Sequence, residues 1–277
     1  MNENSKPKTS SSNTWLQDAA DQLAEAGIAT ARLDAEIILA HTIRKSRTWL
    51  HAHGDEILAP RLIEITDARL ALRLDRTPIA YIIGHKEFYS RAFKVTPSVL
   101  IPRPESESLI ELLKKHIPAN AKRLIDVGTG SGCLGITAKL EFSSLGVTLS
   151  DVSRHALKVA ESNASTLHAE VTLIQGGLLT QAPGLFDVVI ANLPYVDKEW
   201  ERSLETNKEP GLALFADNGG LALIEQLLYQ LPKALGSLGL VLLEADPCQH
   251  QAIIALATKL GLKHLETEGY AIALAKR

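Results

Sequence analysis

The chain has 277 residues, 45% of them hydrophobic and 22% charged, with a net charge of −3. That length suits about two domains, and the composition excludes a fibrous or wholly disordered protein. Weak acidity argues against broad phosphate neutralisation of a nucleic acid, and no apolar run approaches the ~20 residues of a membrane span. Two cysteines, Cys133 and Cys248, build neither a disulfide framework nor a metal-spaced pair, so a cytoplasmic chain is expected.

Residues 1–13 are polar and rich in Ser, Lys and Asn; they read as a disordered tail. From Trp15 to Leu74 the periodicity is helical. Leu16, Ala20, Leu23 and Ala24 mark one helix that Gly27 stops; Leu33, Ile37 and Ala40 mark a second. Pro60 opens a third that carries Ile63, Leu70 and Leu74. Residues 14–85 therefore read as a small N-terminal helical bundle. Phe93 and Val95 alternate with Ala92 and Lys94 behind a Ser90-Arg91 turn, which predicts a β-hairpin connection over residues 86–104. Helical spacing resumes from Glu105 to His116.

From Arg123 strands and helices alternate. Residues 124–127, 147–151, 171–175, 186–192 and 238–244 are apolar strands, and such runs separated by helices indicate a parallel sheet covered on both faces. Segments 263–267 and 270–275 add an antiparallel hairpin. The expected class is α/β: a Rossmann-like domain over residues 105–277, with a mostly parallel seven-stranded sheet, preceded by the helical bundle and the hairpin.

Asp126-Val-Gly128-Thr129-Gly130-Ser131-Gly132 falls where the first strand turns into a helix. Glycines there let the backbone bend and approach a ligand. Gly130, Gly132 and Gly135 also fit a dinucleotide pattern. Asp126, immediately before the loop, discriminates: its charge opposes a pyrophosphate and suits S-adenosyl-L-methionine, which carries an ammonium and a sulfonium. Asp151 ends the second strand, where a carboxylate accepts from both ribose hydroxyls. Gly177 stands where many methyltransferases carry an acid facing the adenine amine, so backbone groups near Gly177 and Leu178 are expected to replace it.

Asn192-Leu193-Pro194-Tyr195 closes the fourth strand. Its bland reading is a turn. Its functional reading is recognition of a planar NH2: the Asn192 side-chain oxygen and the Leu193 carbonyl accept two N–H bonds, and Tyr195 stacks on the planar group. That arrangement holds the nitrogen in line with a methyl donor and stabilises the developing positive charge. His51-Ala-His53 lacks an evident third metal ligand, so no metal is expected. Arg103 and Glu105 read as pinning the interdomain turn, and Cys133 as a packing residue.

Four strings then carry a resemblance. Thr30-Ala-Arg-Leu-Asp-Ala-Glu36, Pro78-Ile-Ala-Tyr-Ile-Ile-Gly84, Lys86-Glu-Phe-Tyr89 and Leu100-Ile-Pro-Arg-Pro-Glu-Ser-Glu107 resemble signatures of the HemK/PrmC family, the peptide chain release factor N5-glutamine methyltransferases. The likeness covers nearly everything after Trp15. It implies that Gly128 to Gly132, Asp151 and Asn192 bind the cofactor, and that Asn192, Leu193, Pro194 and Tyr195 bind the glutamine of the GGQ motif in class 1 release factors. It also implies that residues 105–277 form a class I methyltransferase domain. A glutamine on a loop tip is too small a feature to specify a protein substrate, so the helical domain is expected to recognise the partner, and the weak acidity disfavours nucleic acid. The chain is expected to act as a monomer. Leu193 departs from the family's first Pro, which removes a fixed φ but keeps the carbonyl. The Asn-Leu-Pro-Tyr spelling also resembles ribosomal RNA adenine dimethyltransferases, but those place their helical domain last. An adenine-N6 methyltransferase acting on RNA or DNA is the alternative reading, and a cofactor-binding interaction module without transfer is a third.

Overall fold

Ser11 ends an extended segment, and its hydroxyl accepts from the Thr14 N–H, which opens the first helix. The computed structural model describes residues 10–276. Ser10–Ser11 form β1, and α1 runs over Ser12–Glu25. Four residues expected in the disordered tail are thus ordered. The cause is local pairing: Ser12 and Asn13 donate their backbone N–H groups to Glu56 and Gly54. The rest of the expected tail lies outside the described residues.

Helices α2 (Ala31–Ile43), α3 (Arg47–Ala52), α4 (Pro60–Leu74) and α5 (Ile79–Ile83), with the short β2 (Ile57–Leu58), complete the helical part. Trp15, Leu16, Leu23, Ile38, Leu39, Leu50 and Ile63 pack together as its core. The face of α2 differs from expectation. Leu33 is exposed, whereas Asp34 and Glu36 are buried. Ion pairing turns the helix: Asp34 accepts from Arg73 at 2.8 Å and from the Thr30 hydroxyl at 2.9 Å, and Glu36 accepts from Arg32 and Arg47. Buried carboxylates persist only when paired in this way.

The described chain forms two compact units, one holding the residues through Gly84 together with Leu204–Lys208, the other holding His85–Ser203 and the chain from Glu209 onward. Segment 204–208, expected in the larger domain, belongs to the helical unit because Arg73 and Arg76 both donate to Glu205, and Lys208 pairs with Asp75 at 2.7 Å.

The second unit begins with the hairpin of β3 (His85–Phe88) and β4 (Arg91–Lys94). Its turn is Tyr89-Ser90, one residue earlier than expected; both have positive φ (50° and 59°), as a two-residue primed turn requires. After α6 (Glu107–His116), strands β5 (Arg123–Val127), β6 (Gly146–Asp151), β7 (Val171–Gln175), β8 (Phe186–Ala191), β9 (Leu235–Glu244), β10 (Leu262–Glu268) and β11 (Ala271–Lys276) form one seven-stranded sheet. Its order is β10-β11-β9-β8-β5-β6-β7, parallel except at β11 and β10. The α/β class and mostly parallel sheet read from the sequence are the ones observed.

Neighbouring strand residues point to opposite faces. Leu124, Val188 and Leu242 pack with α6, α7 (Cys133–Glu141) and α8 (Arg154–Thr166), while Ile125, Val189 and Leu243 pack with α10 (Ala222–Ala234) and α11 (His250–Lys259). A short α9 (Gly211–Leu214) lies between β8 and α10. Strand order reverses between β5 and β8, which opens a crevice at their carboxyl ends.

Candidate active site

A cavity of about 700 Å³ occupies that crevice. The loop after β5 supplies Gly128, Thr129, Gly130 and Ser131 to its wall, β6 supplies Asp151, and the chain after β8 supplies Asn192, Leu193 and Pro194. The structure therefore gathers the glycine loop, the strand-end acid and most of the Asn192 motif around one space. All belong to the same unit.

Asp151 organises the cofactor side. Its Oδ2 accepts the Gly130 N–H at 2.9 Å, and its Oδ1 accepts the Ser153 N–H at 2.8 Å. Each carboxylate oxygen keeps a lone pair for a ligand. Burial raises its pKa, and the two backbone donors oppose that rise. Gly128 has φ of +72°, which favours glycine, and a Cβ there would lie 2.9 Å from Leu193 Cδ2, so the loop packs closely on the Asn192 motif at this position. Leu178 also lines the cavity and holds φ of 53°. A Cβ at Gly177 would meet nothing within 4 Å, so that position leaves open space where an acid would stand.

Asp126 and Gly132 sit differently from their expected roles, since neither is among the residues lining the cavity. Asp126 is 1% exposed, and its Oδ2 accepts from the Thr129 hydroxyl at 2.6 Å and the Gly135 N–H at 2.9 Å. It braces the loop from behind. Burial pushes its pKa up to about 6. Gly132 caps α7 with φ of +83° and packs against Ile136 and Ala160. Cys133 follows it on the cavity wall, and burial pushes its thiol up to about 12.

On the acceptor side, the Asn192 amide donates through Nδ2 to the Ser106 hydroxyl at 3.1 Å. Leu193 is 4% exposed and packs into the core shared with α10 and α11. Tyr195 does not line the cavity. Its hydroxyl donates to Glu244 at the end of β9 at 3.1 Å, and its ring lies 6.5 Å from that of Tyr270. The buried carboxylate thus holds the phenol, and the half-buried ring stands outside the cavity lining. Burial, then the Glu244 charge and hydrogen bond, raise the Tyr195 pKa, which keeps it a donor.

Three supports escaped the sequence reading. Glu244 is a charged residue closing the otherwise apolar run 238–243, which was its available signal. Gln249 donates through Nε2 to the carbonyls of Tyr195 (2.9 Å) and Gly219 (2.7 Å). Asn163, a polar residue on the apolar face of α8, accepts the Lys94 N–H at 2.7 Å and donates to the carbonyls of Lys94 (3.0 Å) and Ser131 (2.8 Å). It ties the hairpin to the glycine loop. Arg103 pairs with Glu209, whose second oxygen accepts the Ile101 N–H at 3.1 Å. Of the two histidines weighed as ligands, His53 stacks on Trp49 at 4.2 Å and His51 faces Glu36.

Residues 14–84 match the family description "PrmC N-terminal domain", and residues 104–240 match "Methyltransferase small domain". The chain is 37% identical over 243 residues to the release factor glutamine methyltransferase of Koribacter versatilis, covering 84% of this chain and 87% of that one. It is 35% identical over 239 residues to the protein of the same name from Coxiella burnetii, covering 85% and 86%. Among solved structures, a methyltransferase from Pyrococcus furiosus shares the fold, with a TM-score of 0.52, 20% identity, and coverage of 76% of this chain and 97% of that one. The chain belongs to the release factor glutamine methyltransferase family.

Proposed function

We propose that this chain transfers a methyl group from S-adenosyl-L-methionine to the side-chain amide nitrogen (N5) of the glutamine in the GGQ motif of class 1 peptide chain release factors. One observation carries the reading: Asn192, Leu193 and Pro194 line the same cavity as Gly128 to Ser131 and Asp151. Family membership supplies the substrate class.

The residues present fit the cofactor. Asp151, anchored by two backbone donors, offers acceptor positions for two vicinal hydroxyls. Backbone groups of Gly128 to Ser131 and of Leu178, which line the cavity, would hold the rest, Asp126 and Gly132 keep the loop's shape, and the nearby acids suit a cationic ligand. When bound, S-adenosyl-L-methionine supplies an electrophilic methyl group.

An amide nitrogen is a poor nucleophile because its lone pair is delocalised. The Asn192 side-chain oxygen and the Leu193 carbonyl accept its two N–H bonds, orient it, and stabilise the positive charge that develops on it. Pro194 walls the planar group, and Tyr195 supports the motif from behind through Glu244. No strong base is needed beforehand, since the amide proton becomes acidic once methyl transfer begins. We place the reaction in the cytoplasm, on a monomeric enzyme that recognises its partner through residues 14–85. No helix among the described residues is long and apolar enough to cross a membrane.

Incubating the full chain with labelled S-adenosyl-L-methionine and a release factor tests the proposal. Label is expected on the release factor and is expected to vanish after Gln→Ala at its GGQ motif. Label that survives that change, or that appears instead on RNA or DNA, would overturn it.

A further inference from the structure

The Asn192 side chain is useful to an NH2 substrate only in one of its two orientations. Its oxygen must face the cavity; if the amide were flipped, its own NH2 would oppose the substrate's. Something must therefore fix the amide, and the structure holds a chain of groups that can.

Glu244 is 2% exposed at the end of β9, and Ser106, in the 3-10 turn Pro104–Ser106, is also 2% exposed. The Glu244 Oε1 accepts from the Tyr195 hydroxyl at 3.1 Å, whereas its buried Oε2 has no hydrogen-bond partner. A buried carboxylate oxygen left in that state is costly. Burial raises the Glu244 pKa, and the Ser106, Tyr195 and Asn192 side chains beside it oppose that rise, although neither Ser106 nor Asn192 closes a bond of normal geometry to Oε2. The Ser106 oxygen meanwhile receives the Asn192 Nδ2–H at 3.1 Å, which leaves the hydroxyl proton to be donated elsewhere.

With Glu244 ionised, the donor and acceptor inventory allows one order at Ser106. An ionised carboxylate has no proton to give, so it takes the Ser106 proton; Ser106, having donated, accepts; and only the NH2 end of Asn192 can satisfy it. We infer that Glu244 is a positioning residue which, acting through Ser106, locks the Asn192 amide with its NH2 inward and its oxygen toward the cavity. Tyr195 completes the arrangement by occupying the other oxygen of Glu244. The inference rests on the reading of Asn192 as an acceptor for the substrate amide.

Methyl transfer to a purified release factor provides the test, with cofactor affinity measured by calorimetry and folding by thermal denaturation. Glu244→Gln can present NH2 to Ser106 and so scrambles the order. It is expected to lower kcat by about 10- to 100-fold while leaving KM for the release factor and Kd for S-adenosyl-L-methionine within about twofold. Ser106→Ala is expected to lose a similar factor, and Ser106→Thr, which keeps the hydroxyl, to recover most of it. Because the two act in series, Glu244→Gln with Ser106→Ala should be no slower than Ser106→Ala alone. Losses that multiply, undiminished turnover in Glu244→Gln, or a matching loss of cofactor affinity would each overturn the inference. If the double variant does not fold, the comparison of Ser106→Thr with Ser106→Ala decides: equal turnover in both refutes the relay. Asn192→Ala separates the two levels of the argument. If it retains turnover, the reading of Asn192 fails; if it is inactive while Glu244→Gln is fully active, only the relay fails.

Discussion

Asn163 offers a sharp test of how the cofactor loop is held. Its side chain makes three hydrogen bonds, to the Lys94 N–H, the Lys94 carbonyl and the Ser131 carbonyl, and the residue is 2% exposed. Asn163→Ala removes all three. The Ser131 carbonyl lies fully buried, so its loss leaves an unsatisfied acceptor costing about 1–3 kcal/mol; the two part-buried bonds to Lys94 add about 1 kcal/mol each. Allowing for partial access of water to Lys94, the expected loss is about 2–4 kcal/mol. For a unit of this size that lowers Tm by roughly 5–15 °C. Urea denaturation at pH 7 measures the free energy, and calorimetry with S-adenosyl-L-methionine measures the second consequence, a several-fold rise in Kd as Ser131 loses its tether. Asn163→Asp is expected to be at least as damaging, because one carboxylate oxygen would face two carbonyls. A destabilisation below about 0.5 kcal/mol in Asn163→Ala would refute the reasoning, since surface-like changes stay within that range.

Three further outcomes follow from the same geometry. Asp151→Ala should weaken cofactor binding by 10-fold or more while kcat at saturation falls less, and an unchanged dissociation constant would sink the ribose contact. Gly220 has φ of +83°, and a Cβ there would overlap the Tyr195 carbonyl oxygen; Gly220→Ala is expected to give little soluble protein or a variant with greatly reduced turnover, and a well-folded, fully active variant would contradict the clash. Asp126, whose folded pKa is raised by burial from 3.8 to about 6, makes a contribution to stability that is full below pH 3.8 and lost as pH rises through about 6. That loss is roughly 3 kcal/mol, so acidification from pH 7 toward 4 should stabilise the wild type relative to Asp126→Asn, and a constant difference in denaturation free energy across that range would show that the raised value is wrong.

Much of the architecture was legible because its determinants are local. Apolar runs marked the strands, the loop glycines marked the first crossover, and Asp151 and Asn192 stand at strand ends where an α/β sheet places its ligands. The errors share another origin. Leu33 was expected inside because it is apolar, yet α2 buries Asp34 and Glu36, whose partners Arg73 and Arg47 are distant in sequence. Tyr195 was expected over the substrate because tyrosines stack, but a carboxylate on β9 holds its hydroxyl. Asp126 was read as a ligand-facing charge, while Thr129 and Gly135 fold over it. In each case a buried polar group found a partner that no periodicity reveals. Sequence pattern reports where apolar surface goes; it does not report how charged groups are matched.

The clamp on Tyr195 has a consequence for how such an enzyme diversifies. The Tyr195 carbonyl is fixed by Gln249 and closely packed by Gly220, while the chain between Tyr195 and Gly220 runs through short turns and the four-residue α9. Both ends of that excursion are thereby spliced to the sheet. The middle is committed as well: Glu205 pairs with Arg73 and Arg76, Lys208 with Asp75, and Glu209 with Arg103, while Pro210, Leu212 and Ala213 line the cavity. An insertion there, whose closure cost grows only slowly with length, therefore spares the chemistry only where it leaves those pairs and that wall in place.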